Sequence, residues 1–163
     1  MLENATRICE ARFGTLYLYG EDGLTLAATH NAPSAFAEAR RRGPIRPAPD
    51  TALGQVMATK KMAQVADVAA TRAYAEGNPV VADAVKLAGM RTVAAVPMLK
   101  DNRLIGIIAS YRQEVRPFTE KQIALLQTTL RNLNGGDCGV LARGLHKKYV
   151  RTQSDFEMGA RRC

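Results

Sequence analysis

Arg91-Thr92-Val93-Ala94-Ala95-Val96-Pro97-Met98-Leu99 and Leu104-Ile105-Gly106-Ile107-Ile108-Ala109-Ser110-Tyr111-Arg112 are two strongly apolar runs, joined through Lys100-Asp101-Asn102-Arg103. Such runs on either side of a short polar link read as a β-hairpin. Just upstream, Asn78 and Pro79 supply a cap and a first-turn proline, and Gly89 stops a helix over 78–88 whose apolar residues are Val81, Ala84, Val85 and Ala88. Just downstream, Thr119 and Gln122 form a capping box, with Phe118 and Ile123 at the staple positions. Ile123, Leu126, Leu130 and Leu133 carry that helix's apolar stripe to Asn134-Gly135-Gly136-Asp137, which breaks it.

The pattern repeats towards the N-terminus. Residues 2–12 read as helix, and Phe13 to Tyr19 alternates with Leu16 and Leu18 on one face and Tyr17 and Tyr19 on the other. Gly20-Glu21-Asp22-Gly23 suits a tight turn into a second alternating run, Leu24 to His30, so this too is a hairpin. Asn31, Pro33 and Ser34 start a helix over 34–42. Pro44, Pro47 and Pro49 make the next segment a stiff crossover, because proline fixes φ and removes a donor. A short helix over 51–61, a strand over 62–68 and a loop over 69–77 around Tyr74 complete the order. Two hairpins require antiparallel pairing, and helices flank them, so the expected class is an α+β sandwich.

A chain of 163 residues, 47% hydrophobic and 23% charged, suits one ordinary globular domain. No apolar run approaches the ~18 residues of a membrane span, and the start carries no signal-peptide pattern. The expectation is a cytoplasmic protein with no membrane contact. The net charge of +8 raises nucleic acid as a partner. Through Leu130, however, sixteen Lys/Arg face twelve Asp/Glu, and the remaining 33 residues carry seven against three. Half of the excess lies in one fifth of the chain, so no nucleic-acid partner is expected. Cys9, Cys138 and Cys163 form no CxxC pair and no Cys/His cluster, so neither zinc nor a disulfide framework is expected. Cys9 reads as a small buried hydrophobe.

Gly89 to Leu99, Leu104 to Ile108 and Arg112 to Thr119 together resemble the C-terminal half of GAF domains, above all those attached to bacterial sensor histidine kinases and adenylate/guanylate cyclases. Arg7-Ile8-Cys9-Glu10-Ala11-Arg12-Phe13-Gly14 and Ala52-Leu53-Gly54-Gln55-Val56 match earlier segments of that family. The resemblance implies a central antiparallel sheet ordered 2-1-5-4-3, flanked by helices on both faces. The terminal helices would pack on one face, and a small-molecule pocket would lie on the other. It places a GAF domain, with a truncated first helix, over 1–134. Residues 135–163 are expected to be a basic, Gly-rich, poorly ordered tail outside the family pattern. From Thr129 the chain departs from that pattern, and a frameshift or an artificial gene end near Gln127 is the expectation.

Within such a fold the pocket is expected between the strand at 91–97, the loop at 67–77 and the helix at 78–88. The candidate ligand-binding residues are Asp67, Tyr74, Arg91, Val93 and Ala95. Arg91 offers a bidentate donor to an acidic group, or an ion pair with Asp67 that ties the loop. Tyr74 could stack on a flat ligand or plug the core beneath the loop. Val93 and Ala95 leave space or admit a helix. His30, at a strand end, reads as solvated rather than as a haem ligand. Arg40-Arg41-Arg42 read as cations complementing a helix C-terminus.

The family's cyclic-nucleotide signature is absent, as is the cysteine that anchors a bilin, so neither haem nor bilin is expected and no cofactor is assigned. The resulting expectation is a sensory, small-molecule-binding module, not an enzyme by itself, coupled to an effector kinase or cyclase domain in a parent protein. It would form at most a weak homodimer. The alternatives are a ligand-free degenerate domain serving dimerisation or another protein contact, a methionine sulfoxide reductase of the same fold, and the effector domain of a transcription regulator. No cysteine falls in the pocket segments, which argues against the reductase.

Overall fold

The computed structural model describes residues 2–134. The expected tail at 135–163, with Cys138 and Cys163, lies outside the described residues. The elements in chain order are α1 (Leu2–Ile8), β1 (Phe13–Gly20), β2 (Gly23–His30), α2 (Ser34–Arg41), α3 (Ala52–Thr59), β3 (Ala63–Val65), α4 (Arg72–Ala75), α5 (Pro79–Ala88), β4 (Thr92–Lys100), β5 (Arg103–Arg112) and α6 (Glu120–Asn134). The five strands form one antiparallel sheet in the order β2-β1-β5-β4-β3. This is the α+β class read from the sequence and the strand order implied by the resemblance.

Both hairpins close through two-residue loops. In the second, Lys100 pairs with Arg103, and Asp101 and Asn102 both take positive φ. That backbone matches the twist of the strands it joins, and Asn and Asp tolerate it. In the first, Gly20 pairs with Gly23. Gly23 sits at φ 121°, where a Cβ would collide with the Ile45 carbonyl, and the Leu24 and Ile45 backbones exchange hydrogen bonds. The proline-rich crossover is thereby fastened to the sheet edge.

Strand alternation sends side chains into two separate cores. Phe13, Tyr17, Val93, Ala95, Ile107, Ala109 and Tyr111 face a core completed by α2, α3 and α5. Leu16, Ala94, Val96, Met98 and Ile108 face one completed by α1 and α6. The capping box of α6 forms as its residues require: Gln122 N–H donates to Thr119 Oγ1 at 3.2 Å, and Thr119 N–H donates to Gln122 Oε1 at 3.0 Å.

Arg112, 3% exposed, fastens the second core. Its guanidinium donates to the carbonyls of Cys9, Arg116 and Pro117 and to Gln122 Oε1, and it lies over the Phe118 ring at 4.1 Å. Burial lowers its pKa from the usual arginine value.

Several boundaries differ from the sequence reading. α1 ends at Ile8 rather than 12, because Glu10 takes φ 50° before the chain enters β1. The strand expected over 62–68 is paired only at Ala63–Val65, since β3 is an edge strand with one neighbour. The segment expected as loop over 69–77 contains a 3-10 turn, Val68–Ala70, and α4. Asp67 caps the first through Ala69 N–H, and Thr71 caps the second through Tyr74 N–H. Local side-chain caps of this kind organise short segments that carry too few apolar residues to show periodicity.

Candidate functional site

A cavity of about 50 Å³ lies on the sheet face opposite α1 and α6. That is several times the ~10–15 Å³ that one water needs, and about a third of a site that admits benzene, ~150 Å³. Tyr17, Val93 and Tyr111 form its floor, contributed by β1, β4 and β5. α2 supplies Phe36 and Arg40, α3 supplies Ala52 and Leu53, and α5 supplies Val80, Val81 and Ala84. Met90, Pro47, Val65, Val68 and the cap residues Thr51 and Thr71 complete the wall.

Local chemistry holds each wall in place. Asn78 Oδ1 accepts from Val80 N–H at 3.1 Å and Val81 N–H at 3.4 Å, and Pro79 occupies the first turn of α5. Gly89 closes α5 at φ 60°. Thr51 Oγ1 caps α3 by accepting from Gly54 N–H at 3.1 Å. Gly54 packs so closely on the Ala48 carbonyl that no side chain fits there. Asp50 Oδ2 accepts from Ala73 N–H at 2.9 Å, joining the crossover to α4.

The polar content of the cavity is small and specific. Tyr111 is fully buried, and its hydroxyl shares a 2.9 Å hydrogen bond with Thr15 Oγ1. Burial raises the Tyr111 pKa well above the usual phenol value, and Tyr17 adds to the rise, while the Thr15 hydrogen bond and the Arg40 charge oppose it. Phe13 stacks on Tyr111 with centroids 4.7 Å apart, and Phe36 meets both rings edge-on. Arg40 Nη2 donates to the Val80 carbonyl, and its Cζ stands 4.8 Å from the centre of the Phe36 ring. The Arg40 Nε is enclosed with no hydrogen-bond partner, and the equally enclosed Tyr17 hydroxyl stands close enough to the Tyr111 hydroxyl to contribute to its pKa rise.

Of the residues singled out from sequence, Val93 lines the cavity and Ala95 is buried in the same core without lining it. Asp67 and Arg91 meet each other: Arg91 Nε donates to Asp67 Oδ1 at 2.9 Å, and Nη2 to Oδ2 at 2.8 Å. The Arg91 hydrogen bond holds the Asp67 carboxyl below its usual pKa, with burial opposing. This pair ties the loop after β3 to the start of β4 and leaves the Arg91 side chain 41% exposed. Tyr74 packs, partly buried, at the edge of the same core. His30 is half-buried at the end of β2.

One sequence reading is corrected. Arg41 and Arg42 are exposed at the end of α2, but Arg40 is only 5% exposed and points into the protein. Its separation from Phe36, one helical turn, puts both on the buried face. That spacing was legible, but a run of three arginines disguised it. Tyr17 and Tyr111 were equally legible as inward strand positions. That their hydroxyls converge on one cavity depends on the β1–β5 pairing.

Among the described residues no group of three or more His, Cys, Asp or Glu is placed to hold a metal ion. Nor is any helix among them long and apolar enough to cross a membrane.

Comparison with known proteins places this geometry. The sequence pattern of the GAF domain matches residues 1–133. No curated protein matches the chain in sequence. Among solved structures, the GAF domain/HD domain protein of Geobacter sulfurreducens is similar over 89% of this chain and 88% of its own, at TM-score 0.67 and 16% identity. A domain assigned to a two-component sensor histidine kinase protein of Sinorhizobium meliloti is similar over 93% and 92%, at 0.62 and 16%. The GAF domain of a phosphoenolpyruvate-protein phosphotransferase from Coxiella burnetii is similar over 88% and 83%, at 0.63 and 19%.

Proposed function

This chain belongs to the GAF domain family, and from that premise we propose that it is a sensory module which binds a small molecule in the cavity beneath α2, α3 and α5. It regulates an effector domain of the histidine kinase or nucleotide cyclase type in a bacterial signalling protein, and it performs no chemistry of its own. The observation that carries this reading is a largely apolar cavity of about 50 Å³ on the sheet face opposite the terminal helices, whose lining includes the polar-tipped side chains of Tyr17, Arg40 and Tyr111. Apolar walls with a few convergent polar groups are the usual form of a small-molecule site. Kinship in fold with a sensor histidine kinase domain supports the signalling context.

The strand positions give such a site a short route outward. Tyr111 faces the cavity, and its chain neighbour Arg112 faces the other side of the sheet, bonded to the end of α1 and to α6. A ligand that moves Tyr111 therefore acts one residue away from the anchor of both terminal helices. Asp67, Tyr74, Arg91, Val93 and Ala95 are retained in this proposal in two roles: Val93 and Ala95 as floor and core, and the other three as the rim that holds the adjoining loop.

The test is a thermal-shift screen of small metabolites, followed by methyl NMR of the compounds that stabilise. A ligand at a hundred times its Kd stabilises by about 2.7 kcal/mol, and its footprint should fall on Val68, Val81, Met90 and Val93. Stabilising compounds whose footprints all lie elsewhere would remove the proposal.

The small volume of the cavity favours a second reading, a ligand-free module used for protein contact. Sedimentation equilibrium separates the two. A monomer or weak dimer at micromolar concentration is expected for the sensory module, and a dimer of nanomolar Kd favours the contact module.

A further inference from the structure

β3 is the shortest strand of the sheet and stands at its edge, so β4 alone pairs with it. A strand held through three residues on one side is the least costly of the five to displace. Its side chains point alternately to the two faces. Val65, like Val68 just beyond the strand, lines the cavity. Gln64 pairs in register with Ala94, which belongs to the core completed by α1 and α6.

On that second face Gln64 pairs as a neighbouring strand would. Its Nε2 donates to the Phe118 carbonyl at 3.3 Å, and Phe118 N–H donates back to its Oε1 at 2.9 Å. A carboxamide offers a donor and an acceptor side by side, which suits reciprocal bonding to a backbone. Phe118 is the residue ahead of the Thr119–Gln122 capping box. The hold therefore falls where the chain turns into α6, and the residue ahead of a cap fixes the angle at which the chain enters its helix.

Immediately after β3 the chain is fastened to the same connector again. Thr92 Oγ1 lies 2.6 Å from the Ala66 carbonyl and 2.9 Å from the Glu114 carbonyl, and it accepts from Arg116 N–H at 3.0 Å. A hydroxyl has one proton to donate, so Thr92 serves either Ala66 or Glu114 at a given moment. Its side chain is fully buried, and bulk water does not compete for that proton. Thr92 is thus a two-position link between the end of β3 and the segment leading to α6.

We propose that β3 is a lever: a shift of its cavity face at Val65 passes through Gln64 and Thr92 to residues 114–118 and resets the seat of α6. This path is separate from the one through Tyr111 and Arg112, since its hydrogen bonds use the side chains of neither. The coupling is a property of the packing, and only its use in signalling rests on the reading of the cavity as a ligand site.

The experiment follows backbone amide chemical shifts of the isotope-labelled full chain, which report the folded state rather than its stability. Val65→Ala trims the cavity wall and leaves every one of these hydrogen-bonding groups in place. It is expected to shift the amides of Arg116, Phe118 and Thr119. In Gln64→Met, which keeps the side-chain length and loses the amide, the same change should move Phe118 and Thr119 severalfold less, while Arg116 still responds. In Thr92→Val the pattern should reverse. Gln64 is half-buried, so its substitution keeps the test decisive if Thr92→Val does not fold.

Connector amides unmoved by Val65→Ala overturn the lever. Equal shifts at Phe118 with and without the Gln64 amide overturn it too, and leave the pair as a static fastening. No ligand enters the measurement, so either failure leaves the small-molecule reading to its own screen.

Discussion

Arg112→Ala should be among the most damaging single changes in this domain. The substitution removes hydrogen bonds of 2.7 and 3.1 Å from Nη1 to the Arg116 and Pro117 carbonyls. It also removes those of 2.6 and 3.2 Å from Nη2 to the Cys9 carbonyl and Gln122 Oε1. Hydrogen bonds to a charged group are each worth about 1.5–3 kcal/mol, and the four are not additive. Alanine would also strip the packing from Phe118 and strand acceptors that water reaches poorly. Against this, the folded state no longer keeps a guanidinium out of water, a saving of several kcal/mol. The net loss expected is about 3–5 kcal/mol, the range found when a buried charged network loses a member.

For a domain of this size each kcal/mol moves the melting temperature by roughly 3–4 °C, so Arg112→Ala should melt about 10–20 °C lower. Arg112→Lys should fall between, because an ammonium keeps the charge but cannot fork to four acceptors. Calorimetry measures the shift, and urea unfolding with an unchanged m-value confirms that stability alone has moved. A melting temperature within about 3 °C of wild type, with the same m-value, would show that the guanidinium contributes no more than its desolvation costs. The account of how β5 holds α1 and α6 would then be wrong.

Gly54→Ala should cost at least ~2 kcal/mol, because its methyl meets the Ala48 carbonyl and α3 must lift from the crossover; chemical denaturation with no loss refutes that packing. Asp67→Asn should lower stability at neutral pH. Because Arg91 holds the folded carboxyl below its unfolded pKa of about 3.9, that contribution is present above about pH 4 and is lost as acid carries the pH through the folded value. Denaturation curves of the two proteins should therefore converge in acid, and a constant gap down to the lowest pH refutes the assignment. Burial pushes the Cys9 thiol up to about 12, and the side chain is fully enclosed. With Cys138 and Cys163 replaced by serine, a thiol reagent at pH 8 should react only as the protein unfolds, and prompt stoichiometric labelling would contradict this.

Secondary structure and fold class were legible because their determinants are local. The capping box at Thr119 and Gln122, the Asn78-Pro79 start of α5, the Asp-Asn turn of the second hairpin and the period-two runs of β1, β4 and β5 each bring their own geometry. The short pieces between Val65 and Ala75 were less legible: they are held by single side-chain caps and by Asp50 from another segment, which leave no periodic trace.

What the cavity contains was decided by tertiary structure. Asp67 and Arg91 stand 24 positions apart, and the sequence left open whether they would face a ligand or each other; the meeting of β3 and β4 sets them 2.8 Å apart. Arg40 looked like one of three surface cations until α2 turned Phe36 and Arg40 together onto the sheet. Tyr17 and Tyr111 are 94 positions apart and become neighbours only because β1 pairs with β5. Sequence alone determined the elements and the class, through short-range sterics and hydrogen bonding. Which polar groups end up buried without partners depends on how distant elements pack, and only the tertiary structure could decide that.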